Sequence, residues 1–266
     1  MIRAIGHFAR KQSVLVGVYY AHMLEYRAEI YLWALSHTLP FILMGVWTTA
    51  AQRGEYTLSP QQLGTYFMAI FIVRQYTVVW VVWEFEHHVL HGRLSPLLLQ
   101  PIDPAWRFVA MHLGEKIART PFVVLIVGVV LWLAPIARWR PDLQHILLAA
   151  AAIAGTSVLR FLIQYTSALL AFWTERASHI ESFMMLPYLF LSGFIAPLSL
   201  YPEPVRAVAL WTPFPYLLHF PAQLLLGRAE GATKAFAIMS IWAVAIYGMN
   251  RILWRLGLRH YSAMGA

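Results

Sequence analysis

Glu84, Glu86, His87, His88 and His91 crowd one short stretch of the chain, and all five side chains bind metals or move protons. His87 and His91 are four apart, which puts them on one face of a helix, and Glu84 lies three before His87. That is half of a zinc site, but the H-E-x-x-H order that sets a general base between two ligands is missing. The plainer expectation is no bound metal and a polar helix face that meets a partner protein. No nucleophile–base arrangement is complete. Ser178 and His179 adjoin, yet lack a third partner and an oxyanion motif. His219 and Glu203 fall where a lipid-modifying enzyme would place groups, so a membrane enzyme stays open as a reading, as does an ion-coupled secondary transporter.

Two arginines stand apart from this cluster. Arg74 and Arg160 each lie near the middle of a long apolar stretch. A charge at the centre of a bilayer costs from about 3 to more than 10 kcal/mol, so each must face protein or water. The functional expectation is contact with an anionic substrate group, or a gate. The structural one is a bond to a carboxylate or carbonyl, or snorkelling. Glu181 and Glu84 are the candidate acidic partners.

The elements that must position these residues are apolar helices. Six stretches approach the roughly 20 residues that cross a hydrocarbon core about 30 Å thick. They run over residues 30–51, 62–83, 117–136, 143–173, 180–200 and 235–256, with Pro40 as a kink in the first. Apolar residues make up 60% of the 266 and charged ones only 12%, against about 25% charged in soluble domains. The mean hydropathy is +0.60. The expected fold is an all-α polytopic membrane protein, a single transmembrane domain over residues 1–266. Residues 1–29 alternate apolar and charged positions and predict an amphipathic interfacial helix. Residues 257–266 form a tail.

Arg3, Arg10, Lys11, Glu25, Arg27 and Glu29 interrupt any signal-peptide core, so the first span is expected to serve as the insertion signal. Without Cys there are no disulfides and no thiolate metal sites. The net charge of +8 fits loops that meet anionic lipid rather than nucleic acid, for which no reader module remains. With the N-terminus inside, twelve Lys and Arg fall in inner segments and six in outer ones. Both termini are therefore expected to be cytoplasmic.

Two connections are unusual. Residues 84–106 begin polar, turn at Gly92, and then present Leu94, Leu97, Leu98 and Leu99 before Pro101. A short amphipathic helix along the membrane has this pattern. Residues 197–227 hold Pro197, Pro202, Pro204, Pro213, Pro215 and Pro221, which forbid one continuous helix. The segment is nonetheless rich in Leu, Phe, Trp and Tyr, which predicts half-helices re-entering the outer leaflet. Pro204 suits the first position of one of them. Most aromatics at span ends suit interfacial belts, while Phe67, Phe71, Phe183 and Phe194 are candidates to line an apolar pathway. The small residues of 149–157 permit close helix packing. No internal repeat is present, which weighs against inverted-repeat transporters.

Together these features resemble the membrane subunit, or permease, of a bacterial ABC-2 type ABC transporter. The resemblance rests on six spans, the interfacial helix, the run Gly92, Leu94, Leu98, Leu99 and Pro101, the segment SGFIAPLSLYPEPV…WTPFPYLLHFPAQLLLG, and the ending GLRHYSAMGA. The ending is similar to a subfamily's G-L-R-R-Y-S-A-x-G, with His260 where Arg is usual. The resemblance implies that residues 84–101 form a coupling helix touching a separate ATPase. It implies no cofactor on this chain, with ATP and Mg bound by the partner ATPase subunit. The absence of a G-x-x-x-x-G-K-[ST] loop agrees. It also implies pairing with a second copy or a related permease, membrane lipid as surroundings, the bacterial cytoplasmic membrane as location, and export of amphipathic compounds.

Overall fold

The computed structural model describes residues 2–54, 56–174 and 176–261, and no strand occurs among them. Positions 262–266, the end of the C-terminal run, lie outside the described residues. Helix α1 (Ile2–Glu25) is followed by α2 (Arg27–Ser36) and α3 (Leu39–Gln52). The last two make up one stretch of crossing length, Ile30–Gln52. The break falls at His37 and Thr38, because Pro40 has no N–H to donate to the Ser36 carbonyl and its ring crowds that oxygen.

Helix α4 (Pro60–Thr77) starts at a capping box. The Ser59 hydroxyl accepts from the Gln62 N–H, and the Gln62 side chain accepts from the Ser59 N–H. It forms the centre of the bundle: Leu63, Phe67, Met68, Ile70 and Phe71 are all fully buried. Val78 then turns to extended backbone and α5 (Val81–Leu90) resumes. The second span is thus a broken helix, where the hydropathy pattern predicts a continuous one.

After α5, Gly92 turns the chain with φ +66°, a conformation that costs glycine nothing. Helix α6 (Leu94–Leu98) follows, then α7 (Pro104–Leu133). The polar pattern predicts a third span beginning at residue 117, but α7 starts at Pro104, capped by the Asp103 carboxylate on the Ala105 N–H. Helix α1 lies along α7: Arg107 Nε donates to the Tyr19 hydroxyl at 2.9 Å, and Phe8 packs edge-on against Trp106.

Helix α8 (Leu143–Ala168) continues as a tight turn to Phe172, and the two cover the expected fourth stretch, long and apolar enough to cross a membrane. Its small residues Ala149, Ala152 and Thr156 are buried against α11 (His219–Leu225) and α12 (Ala232–His260). Apolar surface gains little by leaving lipid for protein, so such close backbone approach is what holds membrane helices together. Helix α9 (Ser178–Leu191) ends nine residues short of the expected fifth span. Among the described residues five stretches are long and apolar enough to cross a membrane; α9, at 14 residues, rises only about 21 Å. The proline-rich segment breaks up as expected into a turn at Leu198–Leu200, α10 (Glu203–Trp211), a turn at Phe214–Leu217 and α11. Pro204 sits within the first turn of α10, one place after Glu203. Helix α11 packs against α4 and α8, with Ala222 and Leu224 fully buried.

Candidate functional site

The acidic and histidine cluster sits on α5, and the geometry separates its members. Phe85 and Val89 point inward with Val81 and Val82. Phe85 is boxed edge-on by Tyr165, Phe108 and Phe172, with Trp254 beside them. Leu94 and Leu97 of α6 are buried in the same cluster. On the opposite side Glu84, His87 and His91 are exposed, as are Leu98, Leu99 and Pro101; Leu99 is 88% exposed. The elbow of α5 and α6 therefore has one face fixed to the bundle and one face free. His87 and His91 stack with ring centroids 4.1 Å apart. The His88 ring nitrogen Nδ1 lies 2.7 Å from the Glu84 carbonyl. Among the described residues no three ligand-type side chains converge as a metal would require.

Glu86 faces the protein instead. Its carboxylate accepts from the Ser178 N–H at 2.6 Å and from the Ser178 hydroxyl at 3.2 Å. The first-turn N–H groups of a helix have no partner of their own, so a carboxylate there both satisfies a donor and meets the positive end of the dipole. Glu86 thus caps α9 from a distant part of the chain. Two further bonds tie this end together. Ser95 and Tyr261 share a hydroxyl bond at 3.2 Å, and Arg251 reaches Asp103 at 2.8 Å.

The interruption between α4 and α5 is held by His112 of α7. The freed Trp80 N–H donates to His112 Nε2 at 2.7 Å, and His112 Nδ1 lies 2.7 Å from the Phe108 carbonyl. Nε2 must accept, so the ring is neutral and carries its proton on Nδ1. Irregular backbone at membrane depth persists only where such a partner satisfies it.

A polar layer crosses the bundle one turn deeper. Lys116 Nζ donates to the Ser157 hydroxyl at 3.2 Å, and that hydroxyl donates to the Tyr76 carbonyl at 3.0 Å. Arg119 pairs with Glu115 and reaches the Gln75 carbonyl. The sequence pattern leaves Lys116 at the end of an inner connection and Arg119 at the edge of the third span, but α7 carries both well within its length and Arg119 is buried. Arg74 and Arg160 lie on α4 and α8. The Arg74 guanidinium sits 4.6 Å from the Phe194 ring centroid and that of Arg160 sits 4.3 Å from the Tyr188 ring centroid. The two rings stack at 6.3 Å. Glu181, the expected acidic partner, accepts instead from Gln164 at 2.6 Å. Among the four candidate pathway phenylalanines, Phe67, Phe71 and Phe194 are buried and Phe183 is exposed.

The loop after α9 is tied to α4 and α11. The Tyr66 hydroxyl donates to the Gly193 carbonyl at 2.7 Å and lies 3.1 Å from His219 Nδ1; the His219 N–H donates to the Ser192 carbonyl at 3.0 Å. Gly193 has φ +81°, and a Cβ there would come within 2.5 Å of the Tyr66 oxygen. His219 is therefore part of a structural bond set, and Glu203 pairs with Arg206 on α10. Pro197 and Pro202 start the turn and the helix that follow, and Pro213, Pro215 and Pro221 begin or interrupt the next two elements. A groove of about 1000 Å³ between α7, α8 and α12 is lined mostly by apolar side chains, with His112, Lys116, Ser157, Asn250 and the Asp103–Arg251 pair among them.

Long apolar helices around a buried cationic layer mark a multi-pass membrane protein. Residues 41–265 match the family model described as ABC-2 family transporter protein, and the chain belongs to this family, as a permease. Comparison with curated proteins and with solved structures gave no match.

Proposed function

We propose that this chain is the membrane subunit of an ATP-driven exporter that moves an amphipathic or hydrophobic substrate across the bacterial cytoplasmic membrane. A separate nucleotide-binding subunit binds ATP and Mg and performs hydrolysis. The chain pairs with a second copy or a related permease, and the pathway runs between the two. Both termini are cytoplasmic, and α1 lies on that face. Six crossings are made, the fifth by α9 together with the non-helical backbone of residues 192–200.

The observation that carries this reading is the two-faced elbow of α5 and α6. A push on its free face, which bears Glu84, His87, His91, Leu98 and Leu99, has little room to be absorbed locally. Close-packed cores transmit displacement rather than compress. Phe85 passes the push to α8, and Glu86 passes it to the start of α9. The far end of α9 leads into the loop bonded to Tyr66 and His219, next to the proline-rich segment that acts as the outer lid. Closure of the ATPase pair would thus tilt α9 and open or close the exit. The test is co-purification of the tagged chain with the ATPase subunit, with and without Leu99→Asp. A stable complex that Leu99→Asp disrupts supports the assignment; an intact complex with Leu99→Asp removes the elbow as the docking face.

A further inference from the structure

Four cations, Arg74, Lys116, Arg119 and Arg160, lie in the layer that crosses α4, α7 and α8, against the carboxylates Glu115 and Glu181. Arg119 is neutralised by Glu115. Glu181 accepts from Gln164 with one oxygen, keeps its other oxygen buried without a partner, and lies within electrostatic reach of Arg160 but beyond ion-pair distance of both arginines. Neither of these two arginines makes a direct ion pair with a carboxylate among the described residues, and the two charges repel each other. Burial of unpaired charge is costly, and a charge kept at membrane depth marks a functional contact by default.

The atoms around them point the same way. Arg74 Nε and Arg160 Nη1 are buried without a hydrogen-bond partner. The Tyr188 hydroxyl, on a side chain 6% exposed, and the Ser192 hydroxyl, fully buried, are unpartnered as well. Arg160 itself is only 9% exposed. Arg74 lies over the Phe194 ring and Arg160 over the Tyr188 ring, the two rings stack on each other, and Ser192 joins them on the segment where α9 passes into its following loop. Guanidinium N–H groups and two hydroxyls suit the oxygens of a phosphate or carboxylate. The aromatic rings beside them suit an apolar chain.

We infer that Arg74 and Arg160, with Tyr188 and Ser192, form a site for the anionic head of an amphipathic substrate at the middle of the membrane. The inference rests on the permease reading and narrows its substrate class. Each conformational cycle would carry the bound anion past the Gly193 loop toward the outer lid.

The test uses the purified full-length chain in a neutral detergent, with dodecyl phosphate, dodecyltrimethylammonium and inorganic phosphate as probes. Dodecyl phosphate is expected to bind roughly tenfold or more tighter than the cationic surfactant, because hydrogen bonds from a guanidinium to an anion are stronger than those between neutral groups. Arg74→Gln and Arg160→Gln each lose that preference, and Arg160→Lys keeps part of it. Should either variant fail to fold, Tyr188→Phe and Arg74→Lys provide the same comparison with smaller changes. Equal binding of the two surfactants, or full retention of the preference in both Gln variants, overturns the site. Inorganic phosphate binding as tightly as dodecyl phosphate overturns the amphipathic assignment. A fall in melting temperature with unchanged binding makes the arginines structural. A chain that co-purifies with an ATPase yet ignores dodecyl phosphate leaves the permease reading standing and rejects this site alone.

Discussion

Glu86 accepts the backbone N–H of Ser178 at 2.6 Å, joining α5 to the first turn of α9 across 92 positions of sequence. The bond ties the elbow directly to the start of α9. Glu86→Ala should lower stability by about 1 kcal/mol, the usual loss on removing a helix cap. The proposed coupling suffers more: in the assembled complex, hydrolysis should continue while transport falls. Ser178→Ala keeps the N–H donor and should have a smaller effect on both. Transport per ATP hydrolysed, measured in vesicles, checks this.

The two faces of the elbow should respond differently to substitution. Leu94 is fully buried, so Leu94→Ala should cost about 2–5 kcal/mol and lower the melting temperature. Leu99 is 88% exposed, so Leu99→Asp should leave the melting temperature within about a degree and weaken only ATPase binding. Thermal unfolding and pull-down on the same preparations separate the two outcomes.

His112→Ala removes the only described acceptor of the Trp80 N–H. A buried donor left unsatisfied costs about 1–3 kcal/mol. The backbone at residues 78–80 should become less protected, which hydrogen exchange over this segment would detect. His112→Asn, which retains an acceptor, should restore part of the protection.

Gly193→Ala meets two obstacles at once, a left-handed backbone and the Tyr66 hydroxyl. It should destabilise the loop more than Tyr66→Phe, which loses one hydrogen bond, about 1 kcal/mol, and creates no clash. Limited proteolysis of the segment between α9 and α10 should rank wild type, Tyr66→Phe and Gly193→Ala in order of increasing cleavage.

Much of this arrangement is legible in the chain itself. Apolar runs locate the long helices, because a bilayer admits little else, and the prolines from 197 to 221 announce a broken segment. Gly92 marks its turn. The break between α4 and α5 is not legible, since residues 78–80 are as apolar as their neighbours and only a His on another helix stabilises it. The early start of α7 is hidden for a related reason: Lys116 reads as the end of a loop and Arg119 as the edge of a span until Ser157 and Glu115 are found beside them. The short α9 reads as a full span because residues 192–200 are apolar, although Gly193 and Pro197 already argue against helix there. Glu86 resembles a metal ligand or docking residue by composition, and only the fold reveals that it caps α9. Contacts between distant segments leave little trace in local pattern.

The most direct test of the central claim is ATP hydrolysis by the separately purified nucleotide-binding subunit, with and without this chain in lipid nanodiscs. The account predicts a stable complex whose hydrolysis rate depends on the chain and no longer does so when Leu99→Asp and Glu86→Ala are combined. Substrate transport by the chain alone, driven by an ion gradient with no ATPase present, would contradict it.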